Sequence, residues 1–390
     1  MNWFSLFYRK CHFDVLFYYP AHFNRDKNGN CPFLKPFEEI CQKHGLRYLI
    51  IEEPVLFSKQ KYKHNPNALS FRLFFFLVLV ARKIIPLKRF SSLEEREWLI
   101  GKIFRILFFR NLKFDNLIVL SGSMVGFFRG INPNAEIFDY QHGLIKSNHP
   151  GYLTQSGEVP LHILQNRVKL LLYGNGFKEI LQKRNKYYRK NSFVIGTYYS
   201  IEDTKIDYSS NKQILFSLQI VDTNTSLNNI ILDEILNFLD ENEAFFNQHE
   251  LKIMFKSHPR FTGDVDIGKI EKFDFAELIE DDLFKVLKKS FLHITYSSTV
   301  TFDAASLGIP TLLLENTIPH EDFDNSYYFE DFRFPIDRTS RENFKTDISS
   351  YLSDAVYYAL SSQKVKSWYS EFYQYFDENL LLSLLKVRNG

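Results

Sequence analysis

Residues 291–314 read FLHITYSSTVTFDAASLGIPTLLL, and this stretch decides the fold. An apolar, β-rich run (FLHITY, 291–296) meets a cluster of small hydroxyls at Ser297, Ser298 and Thr299. A short helical segment follows over 299–307. Gly308, Ile309 and Pro310 then turn the chain into a second apolar run, TLLL (311–314). Strand, helix and strand in so few residues make a β–α–β unit, and its strands must be parallel. Small hydroxyl residues at such a strand–helix junction leave the first helical N–H groups open to a phosphate. Asp303, about one turn into the helix, places a carboxylate where ribose hydroxyls would lie. The alternative is an ordinary N-cap on a core helix.

Upstream, a strand over 251–255 runs directly into Lys256, Ser257, His258, Pro259 and Arg260. His258 therefore stands at a strand's carboxyl end, beside a proline that restricts the local backbone. An imidazole there can neutralise charge developing on a departing phosphate. Lys256 and Arg260 add two further cations; a solvated basic turn is the competing reading. The strand at 213–218 (QILFSL) and a helix over 227–246 precede this element, and helices fill the C-terminus from 348.

The first half has the same alternation. Strands are expected at 14–19 (DVLFYY), 47–52, 116–120, 136–140 (EIFDY), 168–173 and 193–195, with helices over 32–44, 68–85 and 93–110. The strand 136–140 ends on Gln141, His142 and Gly143, with His149, Pro150, Gly151 and Tyr152 close behind. Gly143 permits a tight turn or the close approach of a substrate. His142 can take a proton from a hydroxyl near neutral pH, or be a structural histidine bonded to backbone. His22, after the first strand, and Gly174, after the fifth, are further candidates for lining a substrate. Gly174 is equally readable as a turn. A polar stretch from 197 to 212 separates the halves, giving two domains, 1–196 and 197–390.

Composition limits the function classes. The 390 residues carry a formal charge of +2, so no polyanion partner is implied for the chain as a whole. Three cysteines, Cys11, Cys31 and Cys41, have no metal or disulfide spacing and read as reduced thiols. Acidic runs stand at 280–282 and 321–324, and the first opens a helix and fits favourable charge at its N-terminus better than a metal site. The apolar run 73–81 is about half the ~20 residues that a membrane-spanning helix needs. Between 82 and 113 nine Lys or Arg face three Glu, with Trp98, Phe104, Phe108 and Phe109 interleaved. That pattern suits an anionic membrane surface, or else a core helix with a solvated basic face. Nucleic-acid binding is not expected, because no recognised module accompanies the charge.

Taken in order, QHG at 141–143, KSHP at 256–259 and SS followed by a helix and LGIP at 297–310 resemble bacterial surface-polysaccharide glycosyltransferases of GT-B fold. These include enzymes of capsule and lipopolysaccharide synthesis, sialyl- and Kdo-transferases, and the CDP-glycerol glycerophosphotransferases. Val194, Ile195 and Gly196 resemble the segment that enters the second domain in that superfamily. The resemblance implies two Rossmann-like α/β domains facing each other across a cleft, with C-terminal helices packing back on the first. It assigns His258, Ser297 and Ser298 to the donor phosphate, with Lys256 and Thr299 beside them, and His142 to the base. The ribose falls to Asp303, where the family commonly has Glu. His22, Gln141, Gly143, His149 and Gly174 are expected to line the acceptor side. The donor would be a nucleotide sugar and the acceptor a glycan or lipid-linked glycan, with no further cofactor and no metal. A cytoplasmic enzyme, peripheral at the inner membrane face, is the corresponding location. Glycerophosphate transfer, nucleotide-sugar epimerisation and a catalytically inert sugar-binding subunit are the rival functions.

Overall fold

The computed structural model describes residues 3, 8–24, 26, 28–55, 62–197, 211–220, 225–258, 261, 263–315, 329 and 331–386. The chain forms two compact units, Met1–Tyr198 with Tyr373–Gly390, and Tyr199–Phe372. Each is built on its own parallel sheet.

The first sheet contains β1 (Cys11–Pro20), β2 (Tyr48–Glu53), β3 (Leu69–Ser70), β4 (Leu112–Leu120), β5 (Glu136–Tyr140), β6 (Val168–Leu172) and β7 (Ser192–Val194). Their spatial order is β3-β2-β1-β4-β5-β6-β7, and every pair is parallel. The strand sequences explain the arrangement. Val15, Leu16, Phe17, Tyr18 and Tyr19 of β1 are consecutive, and all are fully buried. Such a run suits a strand covered on both faces, which is the environment of a parallel sheet flanked by helices.

The second sheet contains β8 (Gln213–Ser217), β9 (Lys252–Lys256), β10 (Ala276–Ile279), β11 (Ser290–Thr295) and β12 (Thr311–Leu313), in the order β10-β9-β8-β11-β12. All pairs are again parallel. The helix Thr225–Gln248 packs Ile231, Ile235, Phe238 and Phe246 into the core of this unit. Both sheets are doubly wound. The strand order reverses between β1 and β4 in one and between β8 and β11 in the other. In open α/β sheets, ligands bind outside the carboxyl ends of the strands at such reversals.

His293 lies at the centre of β11 with no exposure. Its Nε2 pairs with Ser217 Oγ on β8 (2.9 Å) and its Nδ1 with Thr311 Oγ1 on β12 (3.0 Å). Burial lowers the imidazole's pKa to about 3, so the ring is a neutral cross-brace over three strands. His293→Leu strands two buried hydroxyls and is expected to lower stability by about 2–4 kcal/mol in urea unfolding. The unfolded chain protonates this group near pH 6.5. Wild type therefore loses stability as pH falls below that value, and the leucine variant lacks this contribution.

The final segment returns to the first unit, whereas the sequence division at 196 assigned it to the second. Asn116 on β4 donates to Lys386 O (2.9 Å) and accepts from Lys386 N–H (2.9 Å). Thr197 N–H donates to Gln374 O, and Asp377 N–H to Ile195 O. Gly196 makes this crossing possible. Its φ is +82°, and a Cβ there would stand 2.1 Å from Tyr375 O. The helix Glu378–Leu384 is the C-terminal element that packs back on the first unit.

Several elements differ from the sequence expectation. The helix Leu93–Leu107 stops short of 110 because β4 begins at Leu112. β3 and β10, and the helices Val125–Ile131, Leu161–Asn166 and Asn175–Arg184, were not anticipated. The acidic residue Asp282 caps its helix as expected, accepting from Phe284 and Lys285 N–H. The run at 321–324 lies outside the described residues, as does most of the polar connection at 197–212.

Candidate functional site

In the second unit, the loops following β8, β9 and β11 emerge at one edge of the sheet, because the strands are parallel. The loop after β11 carries Ser297 and Ser298, both half-buried. Ser297 Oγ donates to Gln219 Oε1 (2.6 Å), which follows β8. This bond spans the β8/β11 reversal, and Gln219 was not among the residues picked out from sequence. Thr295 Oγ1 supports the loop from below, donating to Ser217 O (3.1 Å) and accepting from Ser298 N–H (3.2 Å). His258, half-buried, follows β9 on the adjoining strand. Three consecutive strands thus deliver an imidazole, an amide and two hydroxyls to one edge.

The first helical N–H groups are not open, contrary to what the strand–helix junction implied. Val300 N–H meets Ser298 Oγ (3.3 Å), Thr301 N–H meets Ser298 O and Phe302 N–H meets Thr299 O. Thr299 occupies the cap position with its side chain exposed and making no capping bond. Lys256 differs from expectation as well. Its Nζ donates to Glu280 O (3.0 Å) and Asp281 O (2.7 Å), which ties down the loop after β10. Asp303 is half-buried in the first turn of the helix Val300–Ser306, and burial raises its carboxyl pKa to about 7. A carboxyl near its midpoint at neutral pH can both donate to and accept from hydroxyls. Arg260 lies outside the described residues. A separate cleft of about 450 Å³ is lined by Arg333, Trp368 and Glu371 and contains none of these side chains.

In the first unit, the β1/β4 reversal is flanked by the short turn Ala21–Phe23 and by residues 121–124. His22 is exposed, and its ring lies 4.3 Å from that of Phe23. The His142 ring, half-buried after β5, meets the same Phe23 edge-on at 5.2 Å. Two of the candidate histidines are therefore gathered round one phenylalanine. Gln141, expected to line the acceptor side, is instead buried. Its Nε2 donates to Gly143 O (2.7 Å) and its Oε1 accepts from Tyr173 N–H (2.9 Å). Its task is to pin the 141–143 loop to the end of β6, which fixes His142 in turn. A Cβ on Gly143 would meet nothing within 4 Å. No internal packing demands that glycine, which leaves room for a bound group. Gly174 is buried in extended backbone at the cap of the helix Asn175–Arg184. His149 is half-buried; its Nδ1 accepts from Gly151 N–H (3.1 Å), and burial lowers its pKa.

Residues 121–124 hold a cluster of left-handed backbone. Ser121, Gly122 and Met124 all have positive φ, from 56° to 65°. Backbone of this kind persists where surrounding structure enforces it, as at ligand sites. A cleft of about 450 Å³ opens beside it, lined in part by Arg82, Glu94, Glu97, Gly122, Gly151 and His162. Two carboxyls meet this loop. Ser123 Oγ (2.5 Å) and Tyr18 Oη (2.7 Å) both donate to Glu53 Oε2, and burial raises that carboxyl's pKa. Asp139 of β5 is buried beside Gly122, and burial raises its pKa to about 7 against the opposing effect of the Gly122 N–H. Its Oδ1 makes no hydrogen bond among the described residues. Neither carboxyl was singled out from sequence. Each does leave a signal there, as an acidic residue at or next to the end of an apolar strand (YLIIEE, EIFDY).

The sign of the Asp139 effect is testable. Its folded pKa lies above the unfolded value of about 3.9, so the folded state holds more protons between these values. Its contribution to stability therefore declines as pH rises from about 4 through 7. Asp139→Asn is expected to reduce that decline in unfolding experiments run across this range. His12, Asp14 and Asp115, a grouping of metal-binding type, lie at the opposite, amino-terminal edge of β1 and β4.

No protein-family model and no curated protein matches the sequence. Solved structures do resemble it. The UDP-GlcNAc 2-epimerase of Neisseria meningitidis bound to UDP-GlcNAc has a TM-score of 0.51 at 13% identity, covering 96% of this chain and 99% of its own. S. aureus MnaA, solved with UDP, gives 0.49 at 15% identity over 94% of both chains. The wall teichoic acid polymerase TagF gives 0.48 at 13% identity, covering 95% of this chain and 87% of that one. At these identities the likeness is one of fold. The chain has the GT-B architecture of two parallel-sheet α/β units.

Proposed function

We propose that this chain is a nucleotide-sugar-dependent glycosyltransferase of bacterial surface-polysaccharide synthesis. The observation that carries the reading is the edge of the second sheet. There Gln219, Ser297 and Ser298 follow the two strands of the reversal, with Ser297 and Gln219 bonded across it, and His258 follows the neighbouring strand β9. Hydroxyls, an amide and an imidazole in that position suit a nucleotide's phosphates, and Asp303 suits its ribose. The acceptor belongs to the first unit, with His142 as its base and His22 and the cleft beside residues 121–124 as further contacts. The acceptor oxygen attacks the anomeric carbon and gives its proton to His142. The bond from that carbon to the phosphate oxygen breaks, and the nucleotide leaves with the electron pair, with His258 offsetting its charge. Direct displacement inverts the anomeric centre. An acceptor on a lipid carrier would bring the enzyme to a membrane surface.

The buried Asp139 and Glu53 favour a second reading, nucleotide-sugar epimerisation, in which carboxyls of raised pKa move protons on the sugar itself. Incubating the enzyme with its nucleotide sugar separates the two. The transferase releases nucleotide in proportion to added acceptor, with a new glycosidic bond seen by mass spectrometry. Isomerisation of the sugar without acceptor, followed by NMR, would overturn the transferase reading. A new phosphodiester in the product would mark glycerophosphate-type transfer.

A further inference from the structure

The helix Arg72–Ile84 is turned against the usual pattern. It buries Phe74 and Val78, yet its outer side also presents apolar groups. Leu73, Phe76, Val80 and Ile84 are 64%, 62%, 37% and 72% exposed, at spacings that place them along one face. The turn that follows continues the strip with exposed Leu87, Lys88 and Arg89. From 72 to 92 the sequence has no carboxylate, while Arg72, Arg82, Lys83, Lys88 and Arg89 are cationic. The next helix, Leu93–Leu107, sorts its residues the same way. Glu94 and Glu97 are buried, Glu97 against Arg82, while Lys102, Arg105, Ile106 and Leu107 are exposed. The aromatic residues that the sequence pattern offered as the surface, Phe104 and Phe109, are core. Trp98 is turned to Asn166, its Nε1 donating at 2.6 Å.

We propose that the outer face of Arg72–Ile84, with the turn after it, is a docking surface for an anionic lipid bilayer. Thirteen residues of helix span about 20 Å, short of a ~30 Å hydrocarbon core, so the element lies flat in the interface. No helix among the described residues is long and apolar enough to cross a membrane. Apolar tips flanked by long cationic side chains match the boundary between acyl chains and negative headgroups. A second copy of the chain fits less well, because self-pairing through this face would set one basic rim against another. The proposal is independent of which group the enzyme transfers.

The test is co-sedimentation of the full chain with vesicles of phosphatidylglycerol and phosphatidylcholine, against vesicles of phosphatidylcholine alone. Binding is expected to the anionic vesicles and to fall with added salt. A cation near an anionic surface contributes roughly five-fold to partitioning, so Lys83→Glu/Lys88→Glu/Arg89→Glu lowers it by at least about 100-fold. Phe76→Ser/Ile84→Ser lowers it by about ten-fold or more. The altered side chains are exposed, and unchanged thermal melts show that the variants fold. Absence of binding to anionic vesicles, or equal binding by the folded variants, would overturn the proposal. So would concentration-dependent self-association in sedimentation velocity that the same variants abolish without affecting lipid binding.

Discussion

His258→Ala is expected to reduce turnover of the nucleotide-sugar donor by about 10²–10³-fold, with little change in thermal stability. The side chain is half-buried beyond the end of β9, outside the second unit's hydrophobic core, so its removal costs little packing. On the proposed function, what is lost is the imidazole that offsets charge on the departing phosphate. Ser297→Ala should have a smaller effect in the same direction, because Ser298 and Gln219 remain. A steady-state assay at saturating acceptor measures both. Near-wild-type turnover in His258→Ala would remove this residue from the chemistry.

His142→Ala is expected to lower the rate of transfer by about 10²–10⁴-fold while leaving donor affinity unchanged. This division follows from the proposed function. Donor contacts are assigned to the second unit, and His142 belongs to the first. Gln141 holds the loop from beneath through Gly143 O and Tyr173 N–H. Gln141→Ala should therefore also slow transfer, by displacing the base. Calorimetric titration of the nucleotide, set beside kcat, checks the split. Equal loss of donor binding and of turnover in His142→Ala would count against its role as base.

Much of the fold was legible from sequence because the strands are short, apolar and sharply bounded. β5 falls on EIFDY at both ends, where Asn134 and Gln141 frame the run. β3 is two residues long and carries no periodicity to read. β10 (AELI) hides behind its glutamate. The return of the final helix to the first unit is fastened in part by Asn116 meeting Lys386, a contact separated by 270 residues that no local pattern announces. The candidate site divides in the same way. His142, His258, Ser297 and Ser298 could be found because each follows a strand. Gln219 could not, because its relevance lies in a bond to Ser297 across the sheet. Lys256 is cationic and well placed by sequence, but the carbonyls after β10 occupy it. In Leu93–Leu107 the periodicity was visible but its direction was not, since buried glutamates paired with Arg82 and Asn166 reverse the usual sides.

The measurement that bears most directly on the account is a thermal-shift titration of wild type, His258→Ala and Ser297→Ala with CMP, CDP, UDP, GDP and dTDP. A nucleotide that binds the folded state alone stabilises it by about 2.7 kcal/mol at one hundred times its Kd, which is a shift of several degrees. One nucleotide is expected to stabilise wild type in this way, with most of the shift lost in His258→Ala and a smaller part of it lost in Ser297→Ala. Failure of every nucleotide to stabilise wild type, or equal stabilisation of all three proteins, would contradict a nucleotide-phosphate site at the edge of the second sheet.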